Sequence, residues 1–300
     1  MREGRSRAFY VLAAFFASYV AFLYGPMIAI FVLSFQGPDG GLTFPMNGVS
    51  LYWFDRLFFS GNGVIDIGAS FVRSAKLGLT VALLTVAISV AAGMAFRKKF
   101  VGQALIFYVA IASLIVPSII TSLGIALEFR LIDDAIKAYA PSLPAFIGED
   151  FSTSMGLFTS GLAAHLTWTL PFGLLIMFAI FNRFDHRYEE AARDLGATPW
   201  QTFRHVVLPI ILPSVVGIGL FGFTLSWDEI ARSSQAIGPV NTLPLDLQGL
   251  TTTVTNPDIY ALGTATTGVS FIAIGLALVV IGFLQRRQSR HGSDAGSGMV

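Results

Sequence analysis

The chain contains a stretch from Phe9 to Phe35 that carries no charged side chain. A helix needs about 20 apolar residues to cross a bilayer, so this stretch is long enough to span a membrane. Lipid offers the backbone no hydrogen-bond partners, and a spanning segment of this length is therefore expected to be helical. Five more segments have the same character, at about 77–96, 104–127, 156–181, 206–227 and 259–284. The pattern predicts an all-α membrane protein with six transmembrane helices.

The composition agrees with a membrane protein. Charged residues make up 12% of the chain, about half of the share in soluble domains, and the mean hydropathy is +0.70. Short alternating segments of the kind that build an outer-membrane barrel are missing from the sequence. The chain has no cysteine, which excludes disulfides, cysteine metal ligands and a cysteine nucleophile. The net charge of +1 points to no nucleic-acid partner.

The basic residues predict the orientation, because cytoplasmic loops of membrane proteins are enriched in lysine and arginine. With the N-terminus inside, thirteen of the 19 basic residues fall on the cytoplasmic side. We therefore expect both termini and the loop at 182–205 to be cytoplasmic, in a bacterial inner membrane. The first span is expected to be an uncleaved anchor rather than a signal peptide, because its apolar run is too long. One transmembrane domain is predicted over 1–290, followed by a disordered Gly/Ser-rich tail at 291–300.

The loop at 182–205 reads as two short helices joined by a turn. Asp185 is placed to cap the first helix, and Gly196 stands where a left-handed C-terminal cap belongs. Thr198 and Gln201 have the spacing of a capping box, with Pro199 at the first helical position. A compact charged element of this kind between two spans is suited to docking on a partner. The alternative is an amphipathic surface loop that merely links two spans.

The same loop resembles the EAA motif of ABC importer permeases. The motif spans Glu190-Ala191-Ala192, Gly196 and Leu208-Pro209, with Val206 where the family usually has isoleucine. The order of six spans and the final basic segment also resemble that family. The resemblance implies a type I permease fold in which the loop forms cytoplasmic coupling helices. It implies contacts to an ATPase subunit at Glu190, Ala191, Ala192 and Gly196.

The resemblance also implies partners. No P-loop sequence is present in the chain, so ATP and Mg are expected on two separate ATPase subunits. A second, homologous permease subunit and a soluble substrate-binding protein complete the expected complex, with lipid around the spans. No chemistry and no cofactor are expected on this chain, which is therefore not predicted to be an enzyme.

The cargo is indicated by a shorter pattern. Ser226-Trp227-Asp228-Glu229, followed by Gly238-Pro239 and Thr242-Leu243-Pro244, resembles the second permease subunit of spermidine/putrescine-type importers. That resemblance implies a polyamine or a related cationic amine. Related permeases carry opines, thiamine, ferric ion or phosphonates, and the fold does not distinguish among these cargoes.

Several polar residues at the spans are candidates for the substrate path. Asp228 and Glu229 close the fifth span near the outer face, where two carboxylates can attract a cation. Alternatively, they lie in outer-leaflet water or pair with Arg232, one helical turn further on. Further candidates share one face of the fourth span: His165, Trp168 and Thr169. The alternative for these three is contact between helices, and no second ligand is spaced to make His165 a metal site.

Two other classes of protein remain as alternatives at this point. An ion-coupled secondary transporter needs ionisable residues at membrane depth, and the span interiors have almost none beyond His165. A membrane-embedded enzyme needs paired carboxylates or a histidine or Ser/Lys constellation within the spans, which the sequence does not contain.

Overall fold

The computed structural model describes residues 6–59, 66–139, 151–253 and 257–296, with the backbone alone described for 287–296. These residues are mostly helical, and their β contact is an antiparallel bridge between Gln36 and Val49. The helices are α1 Arg7–Leu33, α2 Tyr52–Phe58, α3 Ile67–Phe96, α4 Gln103–Ala112, α5 Ser118–Tyr139, α6 Leu162–Phe181, α7 Arg187–Asp194, α8 Pro199–Thr202, α9 Leu208–Trp227, α10 Ser233–Ala236, α11 Leu243–Thr253 and α12 Asp258–Gly296. Single π-helical turns, Leu157–Gly161 and Phe203–Val207, lead into α6 and α9.

The all-α membrane fold is confirmed. Within the described residues, five helical stretches are long and apolar enough to cross a membrane, and they match five of the six predicted spans. Their bounds are Arg7–Leu33, Ile67–Phe96, Leu157–Phe181, Pro199–Trp227 and Asp258–Arg286. Two of these stretches begin well before the predicted spans: Ile67–Phe96 was expected over 77–96, and Pro199–Trp227 over 206–227. In both, the residues before the predicted span continue the helix.

The predicted third span is not one helix. It consists of α4 and α5, separated by a break at residues 113–117. Pro117 explains the break, since proline has no N–H to donate to the carbonyl of Ser113 and its ring clashes with the preceding turn. The span predicted over 104–127 is therefore divided into two helices at this proline.

The last helix differs from the expected C-terminal tail. α12 runs to Gly296, although a disordered tail was expected from residue 291. The basic segment after Leu284 contains glutamine and arginine, which are good helix formers, and no proline interrupts it. The helix therefore continues over residues 291–296.

The described helices belong to two compact units. The first comprises described residues of 1–68 and 246–269. In it the buried side chain of Gln36 donates to the Gly41 carbonyl at 3.1 Å and accepts from the Asn47 N–H at 2.8 Å. Tyr260 donates its hydroxyl hydrogen to the Leu42 carbonyl at 2.7 Å. These bonds satisfy the polar groups of the loop that follows α1.

The second unit, residues 69–245 with 270–300, contains the candidate functional regions. Its core joins α6 to α9 through a cluster of buried side chains: Met177, Phe181, Phe184, Val207, Ile211, Val215 and Ile218. α3 packs closely against α6, because a Cβ added to Gly173 would lie 2.1 Å from the Ser89 hydroxyl. Thr85 and Thr169 share a buried hydrogen bond of 2.7 Å across the same contact. The loop at 182–205 is therefore held by two firmly packed spans.

Candidate functional site

The two-helix loop at 182–205 has the predicted local structure. Gly196 has φ +85°, the left-handed conformation that a C-terminal cap requires, and the Ala197 N–H bonds back to the Ala192 carbonyl at 3.0 Å. Thr198 and Gln201 form the reciprocal capping box. Asp185 accepts a hydrogen bond from the Arg187 N–H at 3.0 Å, but the residue at the N-cap of α7 is His186 and not Asp185 as predicted. The loop is therefore specified largely by its own sequence.

The two adjacent glutamates of α7 face different surroundings. Glu189 is buried, whereas Glu190 is exposed. The carboxylate of Glu189 accepts two hydrogen bonds from the guanidinium of Arg97, at 2.8 and 2.6 Å. Arg97 follows the last residue of α3, so this bidentate ion pair ties the second span to the first helix of the loop. The sequence gives one local signal for this pair, since Arg97 is the first charged residue after a long apolar segment, but nothing in the sequence identifies Glu189 as its partner.

Aromatic rings and a histidine surround this ion pair. The guanidinium carbon of Arg97 lies 5.0 Å from the ring centre of Phe181 and 5.3 Å from that of Phe184. A third contact joins an Arg97 nitrogen to Nδ1 of His186 at 2.7 Å. The hydrogen bonds from Arg97 hold the pKa of Glu189 below its usual range, although partial burial opposes the shift. The pair is thus charged at neutral pH and held in one geometry.

The outward surface of the loop combines small and apolar residues. Three of the four residues expected to contact an ATPase subunit, Glu190, Ala191 and Gly196, are exposed, and Ala192 is half-buried. Leu195 is 90% exposed and Trp200 is 64% exposed. Exposed apolar surface marks interaction sites where it is contiguous, and these two side chains give the loop apolar area that a partner could cover. Leu195 and Trp200 are large apolar residues in a loop rich in charge, and this contrast is readable from the sequence alone.

At the end of the fifth span, the two carboxylates are arranged differently. Asp228 is exposed. Its backbone N–H donates to the Thr224 carbonyl at 3.3 Å, but within the described residues its carboxylate has no hydrogen bond or ion pair. Although its side chain reaches solvent, the surrounding protein atoms remove part of its hydration and raise the pKa of its carboxyl. Glu229 is half-buried and accepts the backbone N–H of Arg232 at 2.8 Å. The two carboxylates therefore offer different degrees of access to a ligand.

The guanidinium of Arg232 does not pair with either carboxylate in the part of the chain that is described. The residue is completely buried, and its guanidinium donates to the Ser113 carbonyl at 2.9 Å and to the Thr167 hydroxyl. Of the two carboxylates expected as alternative partners of Arg232, Glu229 binds its backbone N–H, and neither forms a salt bridge with the guanidinium within the described residues. Burial lowers the pKa of Arg232, and Glu229 opposes that shift.

Two of the three candidates on the fourth span bond to neighbouring helices. The ring nitrogens of His165 lie 2.8 Å from the hydroxyls of Ser226 and Ser233, so both nitrogens have partners. Thr169 bonds to Thr85, as described above. Trp168 differs, because its ring faces the guanidinium of Arg232 at 4.9 Å. No cluster of metal-ligating side chains occurs among the described residues.

A family model described as "Binding-protein-dependent transport system inner membrane component" matches residues 84–290. The chain belongs to this family. The permease is 30% identical over 284 residues to the spermidine/putrescine transport system permease protein PotC of Haemophilus influenzae, covering 94% of this chain and 99% of the relative. It is 29% identical over 272 residues to the putrescine transport system permease protein PotI of Escherichia coli K12, covering 90% and 89%. The interpretation as an ABC importer permease is thereby confirmed.

The fold is also similar to that of a solved permease. A crystal structure of a bacterial alginate ABC transporter, in complex with its alginate pentasaccharide-bound periplasmic protein, matches with a TM-score of 0.55. The match covers 94% of each chain at 16% identity. At this identity it supports the type I permease fold and says nothing about the cargo. The permease is thus a multi-pass inner-membrane subunit of a binding-protein-dependent importer.

Proposed function

We propose that the permease passes a polyamine or a related cationic amine into the cell. In this proposal it pairs with a second, homologous permease and receives cargo from a soluble binding protein. Two ATPase subunits bind ATP and Mg and drive alternating access. Support comes from the relatives named for spermidine and putrescine transport, which match most of the chain.

The unpaired carboxylate of Asp228 is the observation that carries the cationic cargo. It stands exposed at the end of the fifth span, and its raised pKa indicates that the fold does not stabilise its charge. A carboxylate that lacks a protein partner there is available to an entering cation. Together with the half-buried Glu229, it supports a negative potential near a low-dielectric wall, which concentrates cations.

Neutral isosteres test this role. Uptake of mono-, di- and triamines is measured with Asp228→Asn and Glu229→Gln, with the amount of assembled complex measured alongside. We expect the loss of uptake to increase with the charge of the amine, because the interaction is electrostatic. Asp134→Asn, which removes an exposed carboxylate elsewhere, is the matched control and should retain uptake. Undiminished uptake of every amine in the double variant contradicts the proposal, as does competition only by an opine, thiamine, ferric ion or a phosphonate.

We further propose that the loop at 182–205 docks on an ATPase subunit in the cytoplasm. Leu195 and Trp200 supply exposed apolar contact, and Glu190 offers a carboxylate to a basic residue of the partner. A large residue at Gly196 should block close approach and strain the turn, so Gly196→Trp should lower transport while the chain still inserts. Full transport by both Gly196→Trp and Glu190→Lys contradicts the docking.

The proposed orientation places both termini and this loop in the cytoplasm. Because the chain has no cysteine, Leu195→Cys introduces a single reporter thiol for an impermeant reagent, and the permease is expressed without ATPase subunits so that no partner covers the thiol. We expect labelling only after the inner membrane is opened. Labelling in cells whose outer membrane alone is permeabilised refutes the orientation.

A further inference from the structure

The break in the third span leaves a backbone carbonyl without its helical partner. In an unbroken α-helix the carbonyl of Ser113 accepts the N–H of the residue four positions later, and that residue is Pro117. A guanidinium N–H of Arg232 takes the place of the missing donor at 2.9 Å. Arg232 lies 119 residues further along the chain, so the partner comes from a distant element.

The groups that surround this guanidinium are those that recognise a cation. Besides the Ser113 carbonyl, they are the hydroxyl of Thr167 and the hydroxyl of Ser118, which lies 3.3 Å from the Arg232 Nε. The Trp168 ring faces the guanidinium at 4.9 Å, within the range of a cation–π contact. Carbonyls at helix breaks and aromatic faces are recurrent cation-binding groups in transporters and amine-binding sites.

The arginine is an unusual choice if its purpose is only to join helices. It is fully buried, yet in the described part of the chain no carboxylate pairs with its guanidinium. Glu229 attracts the guanidinium electrostatically but forms no salt bridge with it. A charge that is buried without a hydrogen-bonded counter-charge is expensive, and a neutral donor such as a glutamine amide would satisfy the Ser113 carbonyl at lower cost. The positive charge itself is therefore the feature that calls for an explanation.

The position of Arg232 in the chain permits an exchange. It follows the two carboxylates at the end of the fifth span, and Glu229 already accepts its backbone N–H. A guanidinium that leaves the Ser113 carbonyl still has the charge of Glu229 to attract it, while another cation takes its former place. Such an exchange leaves neither the pocket nor the arginine without a partner.

We propose that the Ser113 carbonyl, the Thr167 hydroxyl and the Trp168 indole form a cation site of the permease, which Arg232 occupies in this conformation. An ammonium group of the cargo takes its place during transport. This inference rests on the proposed transport of a cationic amine and adds a second binding position to it. Arg232 is then a tethered competitor that closes the site while no cargo is present.

Removal of the competitor tests the site directly. The assembled transporter carrying Arg232→Ala is heated with and without putrescine or methylguanidinium, and its Tm is measured. At about ten times Kd, either cation should raise the Tm by about 2 °C or more, whereas 1,4-butanediol, a neutral analogue of putrescine, should not. Wild type should show a smaller rise, because Arg232 fills the site and only the position at Asp228 and Glu229 is open. Addition of Trp168→Leu to the variant should return the rise to that of wild type.

A second arginine of the same unit provides the matched control. Arg73 also donates to a backbone carbonyl, that of Asn241 at 2.7 Å, and to the hydroxyl of Ser70. No ring contact accompanies it among the described residues, so Arg73→Ala should gain no cation-dependent Tm rise beyond that of wild type. If Arg232→Ala does not assemble, Arg232→Ser serves instead, since its short side chain keeps a polar group but leaves the Ser113 carbonyl without a donor from this residue.

The outcomes separate this inference from the proposed function. A rise above that of wild type with methylguanidinium alone overturns the exchange with cargo, because the site then accepts only a guanidinium shape. If neither cation raises the Tm of Arg232→Ala or Arg232→Ser more than that of wild type, Arg232 is a structural link and the site is overturned. Neither result bears on the proposed cargo, which is tested separately by uptake of polyamines in wild type. Absence of polyamine uptake, together with the cation-dependent rise, instead refutes the proposed cargo.

Discussion

Replacement of Arg97 by glutamine should loosen the first helix of the loop from the second span. Arg97 provides both hydrogen bonds to the carboxylate of Glu189, at 2.8 and 2.6 Å. A glutamine side chain is shorter and carries neither the charge nor the forked donor geometry. Glu189 therefore remains buried with an uncompensated charge, and α7 loses its tie to α3.

The expected magnitude lies between those of buried and surface ion pairs. Removal of one partner from a buried pair costs about 3–5 kcal/mol, whereas surface pairs contribute about 0–1 kcal/mol. The side chains of Arg97 and Glu189 retain 12% and 10% exposure, which places them close to the buried limit. We expect a loss of about 3 kcal/mol in the free energy of local opening. At 1.4 kcal/mol for each factor of ten, this raises the open population of α7 about a hundredfold.

Hydrogen exchange of the α7 amides measures that population, because local opening exposes them to solvent. In Arg97→Gln these amides should exchange about a hundredfold faster, and the ratio of transport to ATP hydrolysis should fall. Lys98→Gln removes the exposed neighbouring charge and should change neither quantity. Glu189→Gln should add little to Arg97→Gln, because the two variants disrupt the same interaction. Exchange within about twofold of wild type in Arg97→Gln refutes the reasoning.

The same pair predicts an acid sensitivity. The folded state lowers the pKa of Glu189, first through the hydrogen bonds from Arg97, so its contribution is present above the unfolded pKa. That contribution is lost as the pH falls below about 4.3 and through the lower folded value. In wild type, opening of α7, measured by hydrogen exchange of its amides, should therefore increase only in acid. In Glu189→Gln, the opening of α7 should not depend on pH in this range.

Three further predictions concern other parts of the permease. Leu195→Asp should weaken binding of the ATPase subunit about thirtyfold, a loss of about 2 kcal/mol, in a pull-down titration; unchanged binding removes Leu195 from the interface. Gly173→Ala should destabilise the complex by about 1–3 kcal/mol, because the new methyl group would lie 2.1 Å from the Ser89 hydroxyl. Gly217→Ala, which lies inside α9 and meets nothing within 4 Å, should keep or raise the Tm, and equal effects of the two variants contradict the close packing. Asp228→Asn should have a Tm at pH 7 equal to or above wild type, because the raised pKa makes the carboxylate charge unfavourable in the fold; a lower Tm at pH 7 shows that the charge has a stabilising partner.

Local features of the chain were sufficient to predict most of the architecture. Hydropathy located five membrane-spanning helices, because the requirement for internal hydrogen bonding in lipid depends on length and polarity alone. The capping residues Gly196, Thr198 and Gln201 predicted the turn between the two loop helices, since a cap acts on residues within four positions. The break at Pro117 is also a local feature, because it arises from one missing N–H.

Only the tertiary structure decided how the charged residues are used. Helical periodicity gives no reason to prefer Glu190 over Glu189 as the outward carboxylate, and the difference arises because Arg97, 92 residues earlier, meets Glu189. Arg232 shows the same limit, since a carbonyl 119 residues away and the Trp168 ring determine its surroundings. The free energy of a buried charge depends on the groups that the packed helices bring within a few ångströms, and residues distant in sequence supply them.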